Sequence, residues 1–291
     1  MQLRTDLAIE AREIAGERVA GMDFHEYREN GMKISRLTVK DKRAKQILGK
    51  EIGTYITVEL PSLTDNFTET DERIKTIGGE IRRLLPVNGL ILVAGLGNDD
   101  ITPDSLGPKT GSRVLATRHI TGEIARSTGL DKLRPVAVMN TGVTGQTGIE
   151  TGEYISSVVK RIRPNAVIAV DALASRRIER LGCTMQISNA GISPGAGVGN
   201  HRTKINQETI GVPVIAIGVP TVIDARTFAN DILGEGIHRR TAAFTLPANR
   251  QMVVIPREID LLTERASRLL GFSLNAAMQN DFALKDLISL M

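Results

Sequence analysis

Hydrophobic and polar positions change their spacing near residue 87. From there on, short apolar runs rich in β-branched residues alternate with helical patterns. Strands are predicted near 89–94, 135–139, 166–170, 184–188, 213–218 and 252–255, and helices near 108–118, 152–163 and 257–270. This alternation is typical of a right-handed, doubly wound sheet covered by helices on both faces. We therefore expect an α/β fold with a mostly parallel sheet.

The first 86 residues follow a different pattern. Residues 7–19 have the spacing of a short amphipathic helix, and segments 35–39 and 56–60 are strand-like. Apolar residues between 74 and 85 predict a helix that stops at Pro86. The basic run 40–45 is expected on a solvated loop or helix face. We expect one principal domain, in which residues 7–86 form a small N-terminal β extension of a core at 87–291.

Composition narrows the class of protein. The 37 basic and 33 acidic residues give a formal charge of +4, a mild excess that does not by itself indicate a nucleic-acid partner. Aromatic residues are 3% with no Trp, which argues against stacking platforms for single strands. Cys183 is the one cysteine, and no apolar run approaches the roughly 18 residues of a membrane span. We expect a soluble protein of a reducing, cytoplasmic compartment.

Two aspartates follow apolar runs and are the main candidates for chemistry. Asp104 lies in the loop after residues 90–94, and Asp171 closes the run 166–170. Ligands of a parallel sheet bind beyond the carboxyl ends of its strands, so the two carboxylates can converge. Convergence makes a general acid/base pair possible. The alternative for Asp104 is helix N-capping, because it precedes a Gly-Pro helix start.

Two glycine motifs suggest other chemistry. Gly95-Leu96-Gly97 is similar to a dinucleotide-binding loop, but Asp100 replaces the third glycine and nearby acids would repel phosphate. Gly191-Ile192-Ser193-Pro194-Gly195 matches a nucleophile elbow, yet Pro194 has no N–H for the oxyanion hole. We interpret the first motif as a tight turn that sets the direction of the Asp104 side chain. The second is predicted to be a glycine-rich rim loop.

The metal-ligating residue types show no spacing typical of a metal site. His25, His119, His201 and His238 form no His-x-x-x-His pair and no Cys/His cluster. Structural or surface roles are expected for them, and His201 is the strongest candidate for another role because it lies in the glycine-rich loop. Cys183 is expected to be a small core residue rather than a nucleophile. No metal or cofactor is expected.

Longer motifs indicate a family. The chain resembles the germination protease of endospore-forming bacteria, an endopeptidase that degrades small acid-soluble spore proteins. The resemblance runs almost end to end. It is carried by Arg4-Thr5-Asp6-Leu7-Ala8, residues 95–108, 145–152, 170–174 and 195–199, and Gly218-Val219-Pro220-Thr221-Val222-Ile223-Asp224.

The resemblance implies an unusual aspartic-type peptidase. It implies that Asp104 and Asp171 are the catalytic pair, that the substrate is a DNA-associated spore protein, and that the enzyme is a homotetramer of the spore core. Gly97, Asn98, Gly195 and Gly197 are predicted to contact the substrate. The role of Asp224 stays open between orienting the pair and capping a helix, with capping favoured.

The N-terminus contains a further motif that matches the family. Germination proteases are similar in being zymogens that remove a short N-terminal segment, at a site with an acid, a large apolar residue, Ala, a variable residue and Glu. Asp6-Leu7-Ala8-Ile9-Glu10 fits this site, which predicts a propeptide 1–6 and cleavage between Asp6 and Leu7. We expect the segment to be loosely held, because a cleavage site must become extended.

Two other functions remain as alternatives. The family is distantly similar to hydrogenase-maturation endopeptidases, so a metal-dependent maturation peptidase using Asp104, Asp171 and His201 is one of them. A non-catalytic nucleotide- or DNA-binding module, suggested by Gly95-Leu96-Gly97 and the basic pI, is the other.

Overall fold

A computed structural model of the chain describes residues 4–16, 19–61, 71–199, 202–233 and 252–291. Its described strands form a nine-stranded sheet. The strands are β1 (Met22–Glu29), β2 (Met32–Val39), β3 (Gly53–Glu59), β4 (Ile91–Leu96), β5 (Val136–Gly142), β6 (Ala166–Ser175), β7 (Thr184–Ser188), β8 (Val214–Asp224) and β9 (Val253–Val254).

The helices of the described residues range from single turns to one of 20 residues. They are α1 (Ala8–Ala15), α2 (Lys42–Leu48), α3 (Glu72–Arg82), α4 (Leu106–Gly111), α5 (Glu123–Thr128), α6 (Thr144–Thr147), α7 (Thr151–Ile162), α8 (Gln207–Ile210), α9 (Ala225–Leu233), α10 (Ile259–Met278) and α11 (Leu284–Ser289).

The sheet combines a parallel core with an antiparallel flank. The strand order is β1-β2-β3-β7-β8-β6-β4-β5, and β9 pairs with β8. Strand β4 is parallel to β5 and β6, and β6 is parallel to β8. The N-terminal strands join this core through the antiparallel pair β3–β7. The predicted α/β class is confirmed, with a parallel centre of four strands and an N-terminal β extension in the same sheet.

Helices cover both faces of the parallel centre, because successive side chains of a buried strand point to opposite sides. On β4, Ile91 and Val93 pack in the cluster that contains α3 and α10. Leu92 and Ala94 pack in the cluster that contains α7. By the same alternation on β6, Asp171 continues the α7 face that begins with Val167 and Ala169.

Four elements differ from the sequence-based expectation. Strand β1 was not predicted because its residues are mostly polar, as suits an edge strand with most side chains in solvent. Strands β6 and β8 run on past 170 and 218 because they pair with each other beyond the end of β4. The helix predicted near 108–118 is instead the shorter Leu106–Gly111.

Across the described parts of the chain, every helix is too short or too polar to cross a membrane.

Candidate active site

Asp104 is held by the loop that follows β4. Its Oδ2 accepts a hydrogen bond of 2.8 Å from the backbone N–H of Asn98. The Thr221 hydroxyl donates at 2.7 Å to the carbonyl of Pro103, which ties the loop to β8. The N-cap position of α4 is Ser105 rather than Asp104, so the helix-capping alternative is wrong.

Gly97 is required for this arrangement. Its φ is +112°, in the region that favours glycine, and a Cβ there would overlap the carbonyl oxygen of Asp104. The side-chain oxygen of Asn98 accepts hydrogen bonds from the backbone N–H of Asp100 at 2.9 Å and from Gln146 Nε2 at 2.6 Å. Gly97 and Asn98 therefore shape the turn around Asp104.

Asp171 lies within β6, which runs to Ser175, so the expectation that it closes the strand is wrong. Pairing of β6 with β4 ends at Val170, whereas pairing with β8 continues. Asp171 is thus the first residue of β6 beyond its β4 neighbour, where the Asp104 loop begins. It is 5% exposed, and its Oδ1 accepts at 2.9 Å from the N–H of Ala172.

The charge of Asp104 acts on the Asp171 carboxyl group. Burial, and then the charges of Asp104 and Asp6, raise the pKa of Asp171 to about 8. Burial also raises the pKa of Asp104, against the hydrogen bond from Asn98 and the charge of Arg202. Because Asp104 is less buried, it ionises first. The two environments therefore favour a state in which Asp171 keeps its proton after Asp104 has lost its own.

The N-terminal segment lies against the same part of β6. The backbone N–H of Asp6 donates at 2.9 Å to the carbonyl of Ala174. The N–H groups of Ala174 and Gly197 donate to the Asp6 carboxyl group. Burial raises the pKa of Asp6, and the charge of Lys50 opposes that rise. The expectation that this segment is loosely held is wrong, because these groups fix it to the sheet.

The residues after Asp6 are buried. Leu7 and Ala8 are fully buried, and Leu7 packs with Ile9 and Leu173. Leu7 has an extended backbone and precedes α1, so the chain turns from extended to helical at Ala8. Within the motif, Leu7 has the extended form that a cleavage site needs, whereas Asp6 lies in a bend and Ala8 is helical.

Two side chains donate to the carbonyl oxygen of Asp6. Lys50 Nζ lies 2.9 Å from it and Gln186 Nε2 lies 3.0 Å from it. The other end of the Gln186 amide accepts a 2.6 Å hydrogen bond from the N–H of Ala8. Gln186 therefore spans the Asp6–Leu7 bond.

Glu10 is fully buried in a recess built for a carboxylate. It accepts hydrogen bonds from the backbone N–H groups of Arg176 at 2.7 Å and Arg177 at 3.0 Å. The guanidinium of Arg180 lies 3.3 Å away, and the Thr5 hydroxyl also donates to it. These contacts compensate the negative charge of Glu10, because a carboxylate can be buried only when it is paired and hydrogen-bonded.

The glycine-rich loop 195–199 closes over the segment. A Cβ at Gly197 would overlap the carboxylate of Asp6, and one at Gly199 would overlap the guanidinium of Arg4. Gly195 adopts a left-handed conformation at the start of the turn Ala196–Val198. The loop therefore covers the segment, with Gly197 in contact and Gly195 shaping the turn.

An open cavity of about 630 Å³ adjoins the segment. Asp6, Lys50, Gln186 and Ser193 are among its lining residues. Residues Gln46, Ile47 and Leu48 of α2 also line the cavity, so it borders both α2 and the segment.

Asp224 is a helix cap, as favoured. Its Oδ1 accepts hydrogen bonds from the backbone N–H of Thr227 at 2.9 Å and from the Thr227 hydroxyl at 3.0 Å, and the Arg4 guanidinium lies 3.6 Å from Oδ2.

His201 lies outside the described residues. Among the residues that are described, no three His, Cys, Asp or Glu side chains are grouped to hold a metal ion. Cys183 is partly buried.

Sequence reasoning missed Lys50, Gln186, Arg180 and Arg202. Each is a polar residue in a segment of ordinary composition, and Lys50 stands just past the basic run 40–45, which was interpreted as solvated. No spacing in the sequence distinguishes them, because their contacts join residues far apart in the chain.

Comparisons with known proteins agree with the resemblance. A family model described as germination protease matches residues 3–238. The chain is 41% identical to the germination protease of Caldanaerobacter subterraneus subsp. tengcongensis, covering 99% of this chain and 98% of that protein. It is 39% identical to that of Clostridium tetani, covering 99% of each. A solved NiFe hydrogenase maturation protease from Thermococcus kodakarensis KOD1 is 18% identical with a TM-score of 0.37, covering 67% of this chain and 98% of that one.

Proposed function

The chain belongs to the germination protease family, and on that premise we propose that it is an endopeptidase that hydrolyses small acid-soluble spore proteins after an acidic residue. We propose that it is made as a zymogen with propeptide 1–6 and a body at 7–291. It would cut its own chain between Asp6 and Leu7. The observation that carries the proposal is the segment 6–10, which fits the expected cleavage motif and is bound to the body of the protein at every position.

The motif positions each have a partner. The acidic residue Asp6 is held by the N–H groups of Ala174 and Gly197. Leu7 and Ala8 are fully buried, and the Glu10 carboxylate is held by backbone N–H groups and a guanidinium. Ile9, at the variable position, is also buried and packs with Leu7 and Leu173. A second protein with the same motif would satisfy the same partners.

The chemistry is assigned to Asp104 and Asp171. Two nearby carboxyl groups that share one proton supply a base and an acid together. We assign the base to Asp104, because it is the less buried carboxyl and ionises first. Asp171, with its pKa raised to about 8, is the acid that donates a proton during bond cleavage. Attack by water on the Asp6 carbonyl then needs no covalent intermediate.

We also propose, from the resemblance, that the enzyme works in the spore core as a homotetramer, without a cofactor and without contacting DNA directly. Size-exclusion chromatography with light scattering tests the subunit number. A salt titration with duplex DNA tests the last point, because phosphate contacts give an affinity that falls steeply with salt.

The test of the function is the intact mass and N-terminal residue of the purified protein after incubation, with Asp171→Asn treated in parallel. We expect wild type to lose residues 1–6 and to begin at Leu7, and the variant to stay whole. The processed protein should then cut a small acid-soluble spore protein after an acidic residue. A folded wild-type protein that keeps Met1 and leaves the spore protein intact contradicts the proposal.

A further inference from the structure

We propose that Lys50 and Gln186 are catalytic residues that stabilise the negative charge developing on the carbonyl oxygen of the bond that is cut. The proposal rests on the proposed cleavage between Asp6 and Leu7 and adds to it the groups that bind the oxyanion. In this proposal, Lys50 and Gln186 stabilise the oxyanion, and the aspartate pair carries out the proton transfers.

The geometry at the Asp6 oxygen is that of an oxyanion hole. Lys50 Nζ and Gln186 Nε2 donate to it at 2.9 Å and 3.0 Å. Donors that stabilise a tetrahedral intermediate lie about 2.7–3.1 Å from the oxygen that becomes charged. Both donors already contact this oxygen while the bond is whole, so they are in place to follow it to the nearby position of the oxyanion.

Lys50 is directed at main-chain oxygens. Its Nζ donates to the carbonyl of Thr5 at 3.0 Å as well as to that of Asp6. Burial lowers the pKa of Lys50, and the charges of Asp6 and Glu10 oppose that change. An amine held on a carbonyl oxygen interacts most strongly when that oxygen becomes an anion.

Gln186 is fixed before any reaction begins. It lies on β7, opposite Thr57 of β3 and Gly218 of β8, and is 8% exposed. Its side-chain carbonyl oxygen accepts a hydrogen bond from the N–H of Ala8, while its side-chain amide nitrogen donates to the carbonyl oxygen of Asp6. The side chain therefore sets the position of the bond from both sides, and its donor needs no reorganisation during the reaction.

These donors define the proton movements. Water adds through its oxygen to the Asp6 carbonyl carbon and gives a proton to the Asp104 carboxylate. The C=O π electrons move to the oxygen, where Lys50 and Gln186 stabilise them. When the C=O bond forms again, the C–N bond breaks and the Leu7 nitrogen takes the proton of Asp171. The pair begins and ends with one shared proton, and one water is consumed.

Self-cleavage of the full chain tests the proposal. Wild type, Lys50→Met, Gln186→Met and the matched controls Lys42→Met and Gln207→Met are incubated together, and the loss of residues 1–6 is followed by intact mass. Lys42 and Gln207 are exposed and lie outside the site. Thermal unfolding shows which variants are folded, and ethylammonium is added to Lys50→Ala to replace the missing amine.

We expect Lys50→Met and Gln186→Met each to slow self-cleavage on the order of 100-fold, the usual effect of losing one oxyanion donor. We expect the controls to match wild type and ethylammonium to restore part of the rate of Lys50→Ala. If folded Lys50→Met and Gln186→Met both cleave at the wild-type rate, the proposal is overturned while the peptidase function stands. If wild type itself stays whole, this proposal is overturned, and the proposed function falls with it when a small acid-soluble spore protein also stays intact.

Discussion

Asp6 and Ala174 are joined by two hydrogen bonds: the N–H of Asp6 donates to the Ala174 carbonyl at 2.9 Å, and the N–H of Ala174 donates to the Asp6 carboxylate at 2.8 Å. Ala174 belongs to the part of β6 that runs past Asp171. The strand that carries one proposed catalytic carboxyl group therefore also holds the residue before the proposed cleavage point.

Removal of either carboxyl group should abolish peptidase activity. We expect Asp104→Asn and Asp171→Asn each to lower the rate of self-cleavage by on the order of 1000-fold or more, because an amide can neither accept the proton of water nor donate one as an acid. The exposed Asp99 provides the control Asp99→Asn, which should keep the wild-type rate. Normal activity in both site variants, with a normal thermal transition, would refute the assignment of the pair.

Asp171→Asn should be more stable than wild type, increasingly so as the pH rises. The folded protein binds the Asp171 proton with a pKa of about 8, against 3.8 as the ordinary value. Between these values the folded state holds more protons than the unfolded state, so wild-type stability falls as pH rises. We expect the gain from the amide, on the order of a few kcal/mol at pH 8, to shrink towards pH 4.

Urea unfolding of both proteins at pH 4, 6 and 8 measures this difference. Asp99→Asn again serves as the control and should follow wild type at each pH. A constant difference between Asp171→Asn and wild type from pH 4 to 8 would mean that Asp171 does not titrate in this range.

A side chain at Gly197 should release the N-terminal segment. The added Cβ of Gly197→Ala would overlap the Asp6 carboxylate, so Asp6 must leave its donors. We expect slower self-cleavage and faster removal of the segment by an added protease. Gly79→Ala is the control, because a Cβ there meets nothing within 4 Å and suits the interior of α3. Unchanged protease resistance and cleavage in Gly197→Ala would place the loop away from Asp6.

The recess around Glu10 should contribute to stability and to self-cleavage. Glu10→Gln removes the charge that faces Arg180 and weakens the bonds from the N–H groups of Arg176 and Arg177. We expect a loss of about 1–3 kcal/mol in the free energy of unfolding and slower cleavage. The exposed Glu153 gives the control Glu153→Gln. Equal stability of the two variants would show that the recess does not depend on charge.

Chelators should leave the activity unchanged. The proposed mechanism assigns every proton transfer and the stabilisation of the oxyanion to side chains. We expect cleavage of a spore protein to continue at the same rate after exhaustive dialysis against EDTA. Loss of activity that returns on adding a divalent metal would favour the maturation-peptidase alternative.

The sequence predicted the aspartates because their positions follow from local pattern. Runs 90–94 and 166–170 are apolar and β-branched, so they mark buried strands whose ends meet. It did not predict that β6 continues past Asp171. That extension depends on pairing with β8, a partner some 50 residues away, and polar or small residues within it carry no strand signal of their own.

Lys50 and Gln186 could not be predicted for a related reason. Each contacts Asp6 across a long stretch of chain, and neither stands in a motif. The tight hold on the N-terminal segment was also missed, because a helix pattern starting at Leu7 says nothing about what its first residues touch. Such contacts exist only once the sheet has assembled.

The burial of Leu7 and Glu10 has a consequence for turnover. Both residues lie on the carboxyl side of the proposed bond, so cutting it leaves them attached to the body through α1. The freshly processed enzyme would carry its own product on a tether, at an effective concentration that free substrate in solution rarely reaches. How fast an incoming protein is digested would then be limited by how often α1 undocks, and the N-terminal helix would act as a built-in competitive inhibitor.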